Sequence, residues 1–316
     1  MGSKHLLWSL TVDKIIQTLD PIEEYEGYLV KRGDKFKLGY VNGSKVRQCY
    51  HVVSKNLDLI KEKHNTTIIT GAGLPSPQTA ITAQVANHFG LNCIISCPRY
   101  KNSKVDLDRI NISIAQKLGA DIYGVSNPQS SGYQCDVRWH KEKTNPYEIK
   151  FGMIGREALE PVIYQTQNIP NNIEEITTIS GSGLSALSIL LGVKKYGKSN
   201  VKKVNIIELS GFIYRNKEKW YDPLPQEEKF DGEINIVGSA HPYRKQLKRY
   251  DLFDYTYESK AWDWMVKNRP PSLNHLFWVV GVKNRDLNLV EPIDWKTSGY
   301  QAKIDERKAK KPFFEV

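Results

Sequence analysis

Short apolar runs recur along the chain, and most are followed by a stretch in which apolar positions return every three or four residues. A short run bounded by turn residues suits a buried strand, and the three-to-four spacing suits one face of a helix. "TTIITGAG" (66–73) reads as a strand ending in glycine, with a helix to follow through "TAITAQVANHFG". "LNCIISC" is the next strand, "VDLDRINISIAQKLGA" (105–120) a helix with Leu107, Ile110, Ile114 and Leu118 on one face, and "DIYGV" a strand again. The section from about 125 to 150 is polar and reads as loop. A second series then runs through "EEITTIS", the helix "GLSALSILLGVKKYG", the strands "VKKVNIIELSG" and "GEINIVG", the helix "AWDWMVKNR" and a late strand "HLFWVVG". This alternation predicts an α/β fold with largely parallel sheets covered on both faces. An earlier helix opens behind "NGS" and carries the stripe Val46, Cys49, Val53, Leu57 and Ile60. Lys45 stands at its head, where a side chain can point into a cleft and not into the core.

Composition narrows the class. A chain of 316 residues has room for two domains or one large α/β unit. No apolar run approaches the roughly 20 residues needed to cross a bilayer. The first residues, "MGSKHLLWSLTVDKII", lack the cationic, apolar and small-residue order of a secretory signal, and Leu6 stands where myristoylation requires Ser or Thr. A cytoplasmic location is expected. Cys49, Cys93, Cys97 and Cys135 make no disulfide framework, and no Cys or His pairs sit at zinc spacing, so buried free thiols and no metal are expected.

The formal net charge of +10 changes the picture more. Basic residues gather at 194–203, 241–250 and 305–311. The stretch "HPYRKQLKRY" (241–250) interleaves aromatic rings with cations, a composition that suits phosphate backbones and stacked bases. A solvated surface would read the same way.

Three segments carry candidate chemistry. In "TISGSGLSALSILLG" (178–192) a strand runs through a glycine turn into a helix. The N–H groups of Gly181, Ser182, Gly183 and Leu184 would converge there on an anion, with the hydroxyl of Ser185 beside them. The same letters loosely satisfy a dinucleotide fingerprint, with Glu208 the nearest acid on the next strand. In "GAGLPSPQTA" (71–80) Ser76, Gln78 and Thr79 form a rigid polar turn suited to an amino-acid carboxylate, or an ordinary strand–helix connection. In "FDYTYESKAWDW" (253–264) Tyr257 and Glu258 precede a helix, where Glu258 could serve simply as a first-turn acid.

Taken in order, these segments resemble the pyridoxal-phosphate enzymes of fold type II, the tryptophan-synthase-β-like group. Within it the nearest likeness is to 1-aminocyclopropane-1-carboxylate deaminase and D-cysteine desulfhydrase. "YLVKRGDKF" (28–36) resembles the family's "VKRDD", "NGSKVRQ" its "GGNKxRK", "SGSGLS" its phosphate loop "TGSGGT", and "DYTYESKAW" its "DPVYEGKSM". The likeness runs from about residue 20 to residue 282.

The resemblance implies pyridoxal 5′-phosphate as cofactor and Lys45 as the lysine that forms the imine with it. It places the cofactor phosphate on Gly181–Ser185, Tyr257 on an active-site tyrosine and Glu258 beside the pyridine nitrogen. Ser76 would serve catalysis and, with Gln78 and Thr79, substrate binding. Departures accompany it. Where the family has "QSNHTRQ" this chain has "PSPQTAI", with Pro77 in place of an asparagine and Gln78 in place of a histidine. The family's "GYG" tyrosine segment stands here as "GSAHPYR" (238–244), which offers His241 or Tyr243.

Two α/β/α domains with the cofactor in the cleft between them are therefore expected. The large one comprises 1–51 plus 166–316 and the small one 52–165, in a homodimer. The expected activity is a lyase or deaminase type, acting at the α- or β-carbon of an amino acid through a carbanion. One alternative is an amino acid attached to nucleic acid or a nucleotide, decarboxylated or eliminated in DNA modification. The other is a non-catalytic relative that binds the cofactor or another phosphate.

Overall fold

The computed structural model describes residues 17–99, 110–127, 129–209, 213, 217–242, 245–281 and 292–309. Contacts divide the chain into two units, one reaching to Ser54 and resuming from Gly152 to Lys283, the other Lys55–Phe151 with the residues from Asn284 onward. The expected domains also had one unit inserted into the other. The boundaries differ, because 292–309 pack with the inserted unit and not with the larger one.

The larger unit is built on a six-stranded sheet. Its order is β1 (Ile22–Tyr25), β2 (Tyr28–Arg32), β12 (His275–Val279), β9 (Glu175–Ser180), β10 (Lys203–Glu208) and β11 (Glu233–Gly238). Only β1 pairs antiparallel, and the other neighbours are parallel. The central strands are buried along nearly their whole length, which is why they read as continuous apolar runs. A short ribbon of β3 (Lys37–Leu38) and β4 (Val41–Asn42) leads into helix α1 (Ser44–Lys55). The stripe expected to run on to Ile60 breaks at Asn56, and a second helix, α2 (Leu57–Lys63), carries its last part.

The register levels one edge of this sheet. Glu175, Lys203 and Glu233 lie side by side at the start, so Ser180, Glu208 and Gly238 lie side by side at the carboxyl end. Val279 pairs with Arg32 near the same edge. Apolar burial holds the frame: Trp262 packs 4.8 Å from Phe253 and 5.1 Å from Phe277 by ring centroids, on the face that also presents Val30, Ile179 and Ile207.

The inserted unit carries a four-stranded parallel sheet in the order β7 (Asp121–Val125), β6 (Asn92–Pro98), β5 (Thr67–Gly71) and β8 (Tyr147–Glu148). Its helices include α2, α3 (Gln78–Phe89), α4 (Ile110–Lys117), α5 (Ser130–Thr144) and α9 (Gly299–Ala309). Of the helix expected over 105–120, residues 105–109 lie outside the described residues. The section expected to be loop contains α5. Its buried stripe is narrow and partly polar, with Tyr133, Asp136, Val137 and His140 at spacings of three and four, so apolar counting passed over it. Cys49, Cys93 and Cys97 are buried free thiols, and Cys135 is half-buried. Among the described residues no helix is long and apolar enough to cross a membrane, and no group of side chains has metal-ligand character.

Candidate active site

At the level carboxyl edge of the larger sheet, close backbone approaches bring the sequence-predicted residues of that unit together. Gly43, with φ of +100°, stands just before α1, and a Cβ added there would meet the carbonyl oxygen of Gly281 at 2.4 Å. A Cβ on Gly281 would in turn strike Oε2 of Glu258 at 2.1 Å. A Cβ on Gly33, just past β2, would meet the Val279 carbonyl at 2.3 Å and Ser44 Oγ at 2.9 Å. Three glycines thus let the head of α1, the end of β12 and the Glu258 carboxyl approach within contact distance. The neighbour of Ser44 on that helix is Lys45.

Lys45 is half-buried, and among the described residues no hydrogen bond or ion pair engages its amine. Burial lowers its pKa to about 8. Two residues on, Arg47 is buried and donates through Nη2 to Oδ1 of Asp20 at 2.6 Å, while its guanidinium lies 3.9 Å from the centre of the Phe36 ring. Asp20 is fixed in turn: its N–H donates to Gln165 and its carbonyl accepts from Lys31 and Asn168. Removing one member of such a buried pair strands the other charge. The network therefore holds the helix turn that carries Lys45.

Glu258 opens helix α8 (Glu258–Asn268) and is fully buried. Its Oε1 accepts the N–H of Val280 at 3.0 Å, and among the described residues its Oε2 has no partner. Burial, reinforced by the nearby charge of Asp254, raises its pKa to about 8. The approach to this helix is set by Asp254, whose Oδ1 accepts the N–H groups of Thr256 and Tyr257 at 2.8 and 2.9 Å. The Tyr257 ring is thereby laid against the glycine turn, with Cε1 3.7 Å from where a Gly181 Cβ would stand.

The turn itself follows β9. Gly183 takes φ of +87° and ψ of −18° as the N-cap of α7 (Leu184–Lys195), and no side chain caps this helix. The first N–H groups of a helix have no partner within it. Ser182 Oγ donates to the Gly152 carbonyl at 3.2 Å, and Ser185 is buried. Ser180, the last residue of β9, adds a hydroxyl that sequence reading passed over; its Oγ is buried without a partner among the described residues. Its position directly before "GSG" was the available signal. Gly43 and Gly281 were also passed over, since nothing local marks a contact across so much chain.

The turn at 71–80 belongs to the inserted unit, where its side chains are largely engaged. Gln78 is buried and donates through Nε2 to Thr70 Oγ1 at 2.7 Å and to the Lys150 carbonyl at 2.9 Å. Thr79 Oγ1 donates to the Ser76 carbonyl, and Ser76 Oγ, half-exposed, accepts the N–H of Gln78. His241, in the larger unit, turns Nε2 to within 3.2 Å of Asp263. Tyr243 lies outside the described residues.

No protein-family profile matches the chain. It is 23% identical to the O-seryl-dTMP PLP-dependent decarboxylase of Salmonella phage ViI, over 77% of this chain and 73% of that one. Among solved structures it is similar to an ACC deaminase homologue, with a TM-score of 0.63 at 14% identity over 85% of this chain and 94% of that one. It is also similar to threonine deaminase isoform 2 from Solanum lycopersicum, with a TM-score of 0.61 at 14% identity over 90% of each chain. The chain thus has the fold of the fold type II pyridoxal-phosphate enzymes, as its motifs implied.

Proposed function

We propose that the protein is a pyridoxal-phosphate-dependent enzyme that breaks a bond at the α-carbon of an amino-acid substrate. The observation that carries this reading is the gathering, at one sheet edge, of an amine and a buried carboxyl oxygen that have no partner among the described residues and a left-handed glycine turn whose Ser180 hydroxyl is likewise unmatched. These residues fit the cofactor. Lys45 Nζ would tether its aldehyde, the first N–H groups of α7 with the hydroxyls of Ser180 and Ser185 would hold its phosphate, and Glu258 Oε2 would meet its ring nitrogen. When bound, the cofactor supplies an electron sink for the pair left on the substrate α-carbon. Burial raises the pKa of the Glu258 carboxyl to about 8, so it holds a proton more readily than an ordinary carboxyl and can share one with that nitrogen. Lys45 has a pKa near enough to neutrality to hold and return a proton at the α-carbon.

We further propose that the amino acid is carried on a nucleotide and loses its carboxyl group. The bond between Cα and the carboxyl carbon breaks, carbon dioxide leaves, and Lys45 Nζ puts a proton on Cα in its place. Two observations favour this over a deaminase acting on a free amino acid. The curated relative, matched along most of both chains, is a decarboxylase of a seryl thymidylate. The turn that would clamp a substrate carboxylate commits Gln78 and Thr79 to its own fold, which suits a reaction in which that carboxylate leaves and not one in which it is retained.

The test is a visible spectrum of the purified protein with added pyridoxal phosphate, beside Lys45→Ala. A yellow band that survives desalting, is bleached by borohydride and is absent from Lys45→Ala is expected; no band in the parent would overturn the cofactor reading. Carbon dioxide release from a seryl-thymidine oligonucleotide, and none from free serine, is expected in the second step. Release from free serine alone would favour the amino-acid reading, and a band without release from either would leave a binding protein.

A further inference from the structure

A second cluster lies along α8, beyond the residues used above. Asp263 is only 4% exposed, yet four side chains converge on it. Lys267 Nζ lies 2.7 Å away, His241 Nε2 3.2 Å, Tyr250 Oη 3.3 Å and Arg249 Nη1 3.8 Å. Three of the four come from the segment that follows β11. Lys260, also buried, donates to the Pro242 carbonyl at 2.9 Å and ties down the start of that segment. One buried carboxylate therefore ties His241, Arg249 and Tyr250 to α8.

What this arrangement presents outward is cationic. Lys245 and Lys248 are exposed, and among the described residues their side chains have no hydrogen bond or ion pair. Arg249 and Lys267 keep 67% and 59% of their side chains exposed while touching Asp263. Arg249 lies 5.5 Å from the Tyr250 ring centre, and Arg269 lies 5.5 Å from that of Trp264 on the same helix. Lys245, Lys248, Arg249 and Lys267 outnumber the buried Asp263 and the exposed Asp251, and with aromatic faces among them they match the chemistry of single-strand binding. The position matters as much as the charge. Helix α8 begins at Glu258, and Lys267, nine residues along it, lies about 14 Å away at the rise of an α-helix, toward the end where Arg269 meets Glu175. The segment carrying Lys245, Lys248 and Arg249 follows Gly238 at the carboxyl edge of the sheet.

We propose that this face binds a DNA strand, with Lys245, Lys248, Arg249 and Lys267 on the phosphates that flank the amino-acid-bearing nucleotide. The proposal rests on the nucleotide-linked reading above. Asp263 acts here as a positioning residue: it orders the cationic segment at the cost of one positive charge. A base that is to be modified must leave the stack or already be single-stranded, and a strand bound along the segment that follows β11, which ends at the carboxyl edge of the sheet, meets that need.

The experiment is fluorescence anisotropy of a labelled single-stranded DNA of about 20 nucleotides, titrated with the full chain across a range of salt. Lys245→Glu/Lys248→Glu/Arg249→Gln should weaken binding at low salt by at least roughly tenfold. It should also flatten the slope of log K against log salt by about 2, at about 0.7 per lost phosphate contact. The control Lys61→Glu/Lys63→Glu/Lys117→Gln makes the same change in charge on the inserted unit and should bind as the parent does. Failure of the parent to bind, or equal affinities for the two variants, would overturn the surface. The cofactor band is recorded on the same samples. A parent without the band whose binding is still lost selectively in the first variant would overturn the enzymatic reading and leave the DNA surface standing.

Discussion

The two glycine turns make the most informative comparison in this molecule. Each follows a parallel strand and leads into a helix; in the sequence the one at 180–185 reads as an anion site and the one at 71–80 as a carboxylate turn or an ordinary connection. In the structure they differ in what they leave open. The turn at 180–185 passes through a left-handed Gly183 and keeps a buried hydroxyl on Ser180 without a partner among the described residues. The turn at 71–80 spends Gln78 on Thr70 and the Lys150 carbonyl, and Thr79 on the Ser76 carbonyl. A site for a ligand is built from polar groups that the fold itself does not satisfy, since satisfied ones have nothing left to offer. Beside the open turn stands Glu258, unsatisfied in the same sense.

The largest expected effect comes from that carboxyl. Its folded-state pKa of about 8 lies above the ordinary 4.5, so the folded chain binds this proton more tightly than the unfolded chain does. The associated stability is full below about 4.5 and is lost as pH rises through about 8. Glu258→Gln, which cannot ionise, should therefore unfold several degrees above the cofactor-free parent at about pH 9. The gap should close toward acid, and melting curves across pH read it directly; a constant gap would mean that Glu258 is not buried in this way.

Next come paired substitutions that set one turn against the other. Gln78→Ala strands buried polar groups and should cost about 1–3 kcal/mol in urea unfolding while leaving the cofactor band in place. Gly183→Ala forces a side chain into the left-handed region, which costs about 1–2 kcal/mol, and should weaken cofactor affinity by about tenfold on titration. If Gln78→Ala removed the band and Gly183→Ala spared it, the assignments of the two turns would be reversed. The smallest effect is expected for Ser180→Ala. It removes one hydroxyl and should lower cofactor affinity a few-fold, in line with about 1 kcal/mol for a single hydrogen bond, with the melting temperature unchanged or slightly raised.

Much was already decided by the sequence alone. The order of most strands and helices and the α/β class follow from apolar periodicity, because a strand buried on both faces and a helix buried on one leave different local spacings. Lys45, the glycine turn, Tyr257 and Glu258 could be picked out because their motifs are contiguous. Helix α5 escaped because Asp136 and His140 share its buried stripe with Tyr133 and Val137, and a polar residue can be buried only if the tertiary environment accepts it. What only the tertiary structure decided is which groups are left unspent. That Glu258 Oε2 and Ser180 Oγ lack partners among the described residues while Gln78 has them, and that Gly43 and Gly281 let α1 meet β12, depends on residues far apart in the chain. Burial and hydrogen bonding are properties of the assembled neighbourhood, and no local pattern records them.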